Sequence, residues 1–409
     1  MSDVNPPLKR TLSLPLITFF GLGNILGAGI YVLVGKVAGP AGIYAPYAFV
    51  LASLIASFTA FTYAELSARY PVSAGEAVYL YKGFHWRWLS IVVGMLLVLA
   101  GIVSAAAISH GFVGYVQVFF AIPDAVLLVG LILVLGLVAF WGVGESVIVA
   151  AIFTVIEIIG LLLVVWVGRD SFGDIHRLIE PASAGDAWIS VGLISGAFLA
   201  FYAYIGFEDM VNVAEEVKQP QKNLPRAIII SLLVSSALYF LVASVAVLSI
   251  EPQQLALSDA PLALVYAHHS NSKPVIITLI SLFAVVNGAL IQIIMGSRIL
   301  YGMSCNGWLP AWFKQVHSKR QTPMVATGVV VGLLLLFALA LKLVALAEMT
   351  SYLILTVFVL INLALLKIKR QEPYPENVKT WPVWIPVCGL VTSLALLVFK
   401  VLSVVLGGS

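Results

Sequence analysis

The sequence predicts an all-α polytopic membrane protein. The expected architecture is a 5+5 inverted-repeat bundle with broken helices 1 and 6, plus one extra C-terminal helix. Three observations carry this. Of 409 residues, 61% are hydrophobic and only 10% are charged, and the mean hydropathy is +1.06, outside the range of soluble globular chains. Apolar runs long enough to cross a bilayer follow one another along the chain, with no soluble domain between them. Two of those runs, five apart, are interrupted by glycine or by acids, which an uninterrupted membrane helix avoids.

The runs fall at 14–38, 42–64, 88–119, 124–142, 146–167, 189–213, 227–250, 274–303, 323–342, 345–367 and 381–404, eleven segments in all. They divide into a first half, 14–168, a second half, 189–368, and an added helix, 380–405, within one membrane domain spanning 1–409. The polar start, Met1 to Arg10, precedes an apolar run too long for a signal peptide, so the first segment is expected to be retained. Of the 22 lysines and arginines, Lys36, Arg169, Arg177, Lys273, Lys342 and Lys400 fall on one side of the segment count and all the rest on the other. By the positive-inside rule the N-terminus is cytoplasmic and, with eleven spans, the C-terminus lies outside, in a cell (plasma or inner) membrane. The net charge of +3 is small and dispersed, so nucleic acid is not an expected partner. Cys305 and Cys388 have neither metal nor disulfide spacing, and no cofactor or metal is expected.

The first segment carries glycine at 21, 23, 27 and 29. Each glycine costs about 1 kcal/mol against alanine inside a helix. Gly23 and Gly27 also fit the small-xxx-small spacing that lets helix backbones touch. The sixth segment, Ser195 to Met210, holds Gly206 and the adjacent acids Glu208 and Asp209 at membrane depth. An offset of five spans inverts the second copy relative to the first. Interrupted segments at matching positions of two inverted halves point to a binding cavity rather than to packing alone.

Several motifs then come in order. They are Gly27-Ala-Gly-Ile-Tyr31; Tyr63-Ala-Glu-Leu-Ser-Ala-Arg-Tyr-Pro-Val-Ser-Ala-Gly75; Tyr204-Ile-Gly-Phe-Glu208; Ala214-Glu-Glu216; Asn223-Leu-Pro-Arg-Ala-Ile228; Gly296-Ser-Arg-Ile-Leu-Tyr-Gly-Met-Ser304; and Asn306-Gly-Trp-Leu-Pro310. Through them the chain resembles the amino acid–polyamine–organocation (APC) transporters of the leucine-transporter fold, over segments one to ten. Two departures stand out. The family usually has twelve spans, and the missing one lies outside the five-plus-five core, so it bears on oligomerisation rather than on transport. The family also often has Arg then Asp where this chain has Cys305 and Asn306.

A broken helix offers free N–H groups to an anion and free carbonyls to a cation. A zwitterionic amino acid presents both charges on one carbon. Backbone at Gly27, Ala28 and Gly29 is expected to take its carboxylate. Backbone at Ile25, Tyr202, Ala203 and Ile205 is expected to take its ammonium. The resemblance implies the same positions, with Ala28 standing where many relatives have Ser or Thr. It further implies that Tyr202 lies over the substrate as a gate, with a core aromatic as the alternative; Tyr204 flanks the same break. Glu208 is either a proton-sensitive site or an anchor for the break. Asn287 is expected to hydrogen-bond the first segment. Glu65 and Arg69, one turn apart, are expected to form an ion pair.

Glu157 stands mid-way along segment five, where an isolated carboxylate costs several kcal/mol. It should be neutral, paired or in a wet cavity. Some relatives carry a coupling lysine there, which implies three roles for the acid: exchanging a proton as the cavity alternates, helping to hold a cation, or sitting protonated on a carbonyl of segment one. The expected activity is secondary transport of small neutral amino acids by proton coupling or exchange, with the substrate, the lipid bilayer and protons as partners. The competing class is a transporter-fold scaffold or sensor without transport. No paired catalytic groups and no P-loop occur, so neither an enzyme nor an ATP-driven pump is expected.

Overall fold

The computed structural model describes residues 10–27, 29–72, 75–141, 147–179, 187–270, 272–317, 322–376 and 378–405. Among them the chain is all-α, and its one β contact is an isolated parallel bridge between Leu12 and Val217. The helices are α1 Leu14–Leu26, α2 Gly29–Ala41, α3 Ala45–Arg69, α4 Gly75–Phe84, α5 Arg87–Gln117, α6 Asp124–Trp141, α7 Val147–Val167, α8 His176–Ile179, α9 Ala187–Tyr202, α10 Pro220–Ser249, α11 Pro252–Leu257, α12 Pro261–Ser270, α13 Val275–Cys305, α14 Met324–Ala340, α15 Leu343–Gln371 and α16 Trp384–Val405. Each of the eleven apolar segments coincides with a helix or, at the first and sixth, with a helix and a second piece. Helices α4, α8, α11 and α12 are short connectors between them.

The apolar pattern sorts these helices by depth. On α6, Leu128, Leu131, Ile132, Leu135 and Ala139 are buried, while Leu133, Val134, Leu137 and Trp141 lie exposed on the opposite face. Both faces are apolar because one meets protein and the other meets lipid. Helix α16 is likewise exposed along Val391, Leu394, Val398, Val401 and Leu402. The interior belongs to α1, α2, α3, α9 and α10, with large aromatics such as Tyr31, Phe49, Tyr204, Phe207 and Tyr239 fully enclosed.

Helix α1 is pinned from two sides. The hydroxyl of Thr154 on α7 donates to the Phe19 carbonyl at 3.0 Å, and Ser231 on α10 donates to the Thr18 carbonyl at 3.1 Å. Just before α1, the Leu12 N–H donates to the Glu216 carbonyl and the Lys218 N–H to the Leu12 carbonyl, at 3.0 and 2.8 Å. The approach to the first segment is thereby tied to the exit from the sixth.

The far end of α3 is a closed ionic knot. Glu65 is fully buried. Its Oε1 accepts from Arg69 Nε and Nη2 at 3.0 and 2.8 Å. Its Oε2 accepts from Lys369 Nζ at 2.7 Å and from the Trp381 backbone N–H at 2.8 Å. The expected Glu65–Arg69 pair is present, and it also holds α15 and the lead into α16. Trp381 meets Phe61 edge-to-face, with 4.8 Å between ring centroids. Removing one partner of a buried ion pair strands the others without water. Glu65→Ala is therefore expected to cost about 3–5 kcal/mol, read as a fall in Tm of the detergent-purified protein, with Glu65→Gln intermediate.

Candidate functional site

Helix α1 ends at Leu26, with the Gly27 N–H still donating to the Gly23 carbonyl at 3.0 Å. Helix α2 resumes at Gly29; Ala28 lies outside the described residues. Helix α9 ends differently. At Ala203, Tyr204 and Ile205 its hydrogen bonds tighten to the i→i−3 pattern, with N···O distances of 3.0, 3.0 and 3.2 Å. The chain then reverses at Gly206, where φ is +128°, a backbone conformation that a Cβ disfavours. It continues as a 3₁₀ stretch, Glu208–Glu216. The Gly206 N–H donates to Glu208 Oε2 at 2.8 Å, so Glu208 braces this reversal from within.

The two breaks lie against each other. A Cβ on Gly29 would fall 2.3 Å from Ala203 Cα, and one on Gly206 would fall 2.7 Å from the Asn24 carbonyl oxygen. Neither site has room for a side chain. Gly21 and Gly23 serve a different end: they pack against Met210 and Thr154. Of the small-xxx-small pair, Gly23 packs on Thr154 and Gly27 against Gly288, while Gly29 and Gly206 bring the two breaks together.

One side chain fastens the breaks together. Tyr239 on α10 places its Oη 2.7 Å from the Ile25 carbonyl and 2.8 Å from the Ala203 carbonyl. Its ring meets Tyr204 at 5.1 Å and Phe49 at 5.7 Å. A phenol has one proton to donate, so it satisfies one carbonyl fully at a time.

Beside this junction is a cavity lined by Asn24, Ile25, Gly29, Ser104, Ile108, Tyr202, Ile205, Gly288, Ile291 and Gln292. Four residues singled out in the sequence reach it: Ile25, Gly29, Tyr202 and Ile205. Ala203 and Tyr204 face Tyr239 instead, and Gly27 sits against Gly288 of α13. Tyr202 is held by Ser104 of α5, whose Oγ lies 3.0 Å from its hydroxyl. Asn24 brings an amide whose N and O are both buried without a hydrogen-bond partner. A second cavity shares Ser104, Ile205 and Gln292 with the first and extends to Glu208, Asp209, Asn212 and Thr350. Gln292 Nε2 lies 3.4 Å from Asp209 Oδ2.

Glu157 lies outside both cavities and is 1% exposed. Its Oε1 meets Asn287 Nδ2 in a long contact of 3.5 Å, and its Oε2 has no partner. Among the described residues, the side-chain partner of Asn287 is thus Glu157 of segment five. The Tyr31 hydroxyl of α2 donates to the Glu157 backbone carbonyl, and Tyr115 of α5 donates to the Tyr31 carbonyl at 2.6 Å. The chain from α5 through α2 thus ends on the Glu157 backbone, while its carboxyl meets α13 through Asn287. Tyr239, Ser104 and Gln292 were not singled out in the sequence. Each is a lone polar residue in an apolar run, and only the fold shows what it meets.

A family model for amino acid permeases matches residues 12–408. The branched-chain amino acid permease BcaP of Bacillus subtilis is 31% identical over 392 residues, covering 90% of this chain and 82% of that protein. The mitochondrial cationic amino acid transporter 3 of Arabidopsis thaliana is 30% identical over 404 residues, covering 90% of this chain and 64% of that longer protein. The methylthioribose transporter of Bacillus subtilis is 29% identical over 405 residues, covering 90% of this chain and 82% of its own length.

The junction makes a direct demand on Tyr239. In Tyr239→Phe the ring contacts remain but the Ile25 and Ala203 carbonyls lose their donor. Stranding a buried acceptor costs about 1–3 kcal/mol. A drop in Tm of that order is expected, with the largest gain in hydrogen exchange at 25–30 and 203–207. An unchanged exchange pattern there would show that the hydroxyl does not hold the breaks.

Proposed function

The chain belongs to the amino acid permease family, within the APC superfamily, and on that premise we propose that it is a secondary transporter that moves small neutral amino acids across the cell membrane by alternating access. In this reading the two halves, 14–168 and 189–368, are inverted repeats that rock about the junction of their broken helices, with the helix at 380–405 added outside. The N-terminus is cytoplasmic.

The observation that supports this most is the first cavity. It lies against both breaks, and among the described residues no charged side chain lines it. Ile25, Ile108, Ile205 and Ile291 supply apolar walls. In our reading the substrate carboxylate meets the backbone N–H of Gly29, at the start of α2. Its ammonium takes whichever of the Ile25 and Ala203 carbonyls Tyr239 leaves open. Asn24 offers an unused donor and an unused acceptor, and Tyr202 closes over the substrate. Uptake of radiolabelled amino acids into proteoliposomes tests this. Alanine, serine and medium-sized apolar amino acids should outcompete arginine and lysine, and Gly29→Leu should abolish uptake while still inserting into the membrane. Preference for the cationic amino acids would overturn the assignment of neutral substrates. Normal affinity in Gly29→Leu would overturn the placement of the site.

Glu157 is the proposed proton-coupling residue of this cycle. Its carboxyl has one long contact and one unpartnered oxygen, and its backbone carbonyl accepts from Tyr31, on the half of segment one beyond the break. Glu157→Gln is expected to transport at a reduced rate that no longer responds to external pH between about 5 and 8. Sodium should make no difference. A variant with the wild-type rate and pH profile would remove Glu157 from the coupling role.

A further inference from the structure

A second group of buried acids lies on the other side of the segment-six reversal. Glu76 on α4 and Glu208 on the 3₁₀ stretch are each 2% exposed. Asp209 follows Glu208 and lines the second cavity with it. Among the described residues, none of the three forms an ion pair with a lysine, arginine or histidine.

The cluster is more than a concentration of acids, because it holds three enclosed oxygens without hydrogen-bond partners: Glu76 Oε1 and the hydroxyls of Tyr63 and Tyr79. Tyr63 is fully buried, packs its ring on Phe207 at 5.7 Å, and lies within electrostatic reach of Glu76, Tyr79, Glu208 and Asp209. Helix α4 approaches the 3₁₀ stretch closely. A Cβ on Gly75 would fall 2.7 Å from Val211 Cγ2 and 2.8 Å from the Tyr79 hydroxyl.

Carboxylates that share a poorly solvated space cannot all ionise, because each charge opposes the next. A proton on one of them relieves that repulsion and turns an acceptor into a donor toward its unpartnered neighbours. We propose that Glu76, Glu208 and Asp209, capped by the hydroxyls of Tyr63 and Tyr79, form a proton-binding site that holds α4 against the segment-six break when loaded. The site is separate from Glu157 and does not depend on which substrate the first cavity takes. The second cavity, lined by Glu208 and Asp209, is the route by which protons exchange with it, on the side we infer to be cytoplasmic.

The charged and titratable groups facing Glu76 are Tyr63 from α3, Glu208 and Asp209 from the 3₁₀ stretch, and Tyr79 on its own helix. The nearest lysine of α15 placed against α4, Lys367, stacks over Phe84 and Trp86 at the far end. Lys82 sits over Tyr70. Burial pushes the Glu76 carboxyl from its ordinary 4.5 up to about 8; its own backbone hydrogen bond lowers it and the Asp209 charge raises it further. A folded state that binds the proton more tightly than the unfolded chain loses stability as the proton is withdrawn. The contribution of Glu76 is thus complete below its ordinary value, declines as pH rises through the interval, and levels off above about 8.

The test is the Tm of the detergent-purified full chain from about pH 5 to about pH 9, for the wild type, Glu76→Gln and Asp209→Asn, in sodium and in potassium buffers. The wild type should lose Tm with rising pH. Glu76→Gln should flatten that decline while matching the wild type at the acidic end. Asp209→Asn should move its midpoint to lower pH, because the neighbouring charge is gone. If Glu76→Gln keeps the wild-type profile, the proposal fails. If Glu76→Gln does not fold, Asp209→Asn decides alone, and an unmoved midpoint overturns the site. A midpoint that follows sodium or potassium concentration would assign the cluster to a metal cation and overturn the proton assignment. Because Tm is read without substrate, this result is independent of the uptake assays.

Discussion

The structure depends on how it satisfies backbone groups that two membrane helices have given up. Inside a bilayer, a carbonyl released from its helix has no water to turn to, and leaving it bare costs several kcal/mol. Here Ile25 and Ala203, one from each broken segment, meet at the hydroxyl of Tyr239. Everything nearby serves that meeting. Gly29 and Gly206 let the backbones come within contact of each other. Thr154 and Ser231 hold α1 at the right height. Glu208 supports the reversal that brings Ala203 into place. The cavity is a by-product of this arrangement, since two helices that break against each other cannot also fill the space beside their ends.

The buried acids divide into two kinds by how completely they are answered. Glu65 receives four donors from three elements, ties α3 to the approach to α16, and lines neither cavity. That is the pattern of a structural anchor. Glu157 and Glu76 each keep an oxygen with no partner. Each also lies where a helix break or a connector meets the body of the bundle. Under-satisfied polar groups are expensive, and a fold that retains them gains something other than stability.

The sequence makes the apolar segments legible because lipid and protein both select apolar side chains, and length alone then marks a span. The breaks are legible because glycine and adjacent acids are rare at such depth. The Glu65–Arg69 pair is legible because helical spacing puts the two one turn apart. What meets the breaks is not legible. Tyr239 is 214 residues from Ile25 and sits in a run with no unusual composition. Nothing local distinguishes it from Tyr115 or Tyr352. Asn287 shows the same limit: its amide is visible in the sequence, but its meeting with Glu157, 130 residues earlier, is made by packing. Glu76 reads as an ordinary first-turn acid on a short helix until the fold lays Asp209 beside it.

The joining of Leu12 to Val217, and of Ile25 to Ala203 through Tyr239, also sets an order on how the chain can be made. At about 5–20 residues per second, the ribosome needs on the order of 10–40 s to reach Tyr239 after it has passed Ile25, 214 residues earlier. Throughout that interval the first segment must sit in or beside the insertion machinery without its final neighbours. It then has every incentive to close its own gap as a continuous helix. The fastening of Ile25 to Ala203 through Tyr239 is thus completed late, when the sixth and seventh segments arrive. Biogenesis of this chain is therefore an annealing of its earliest segment by its later ones.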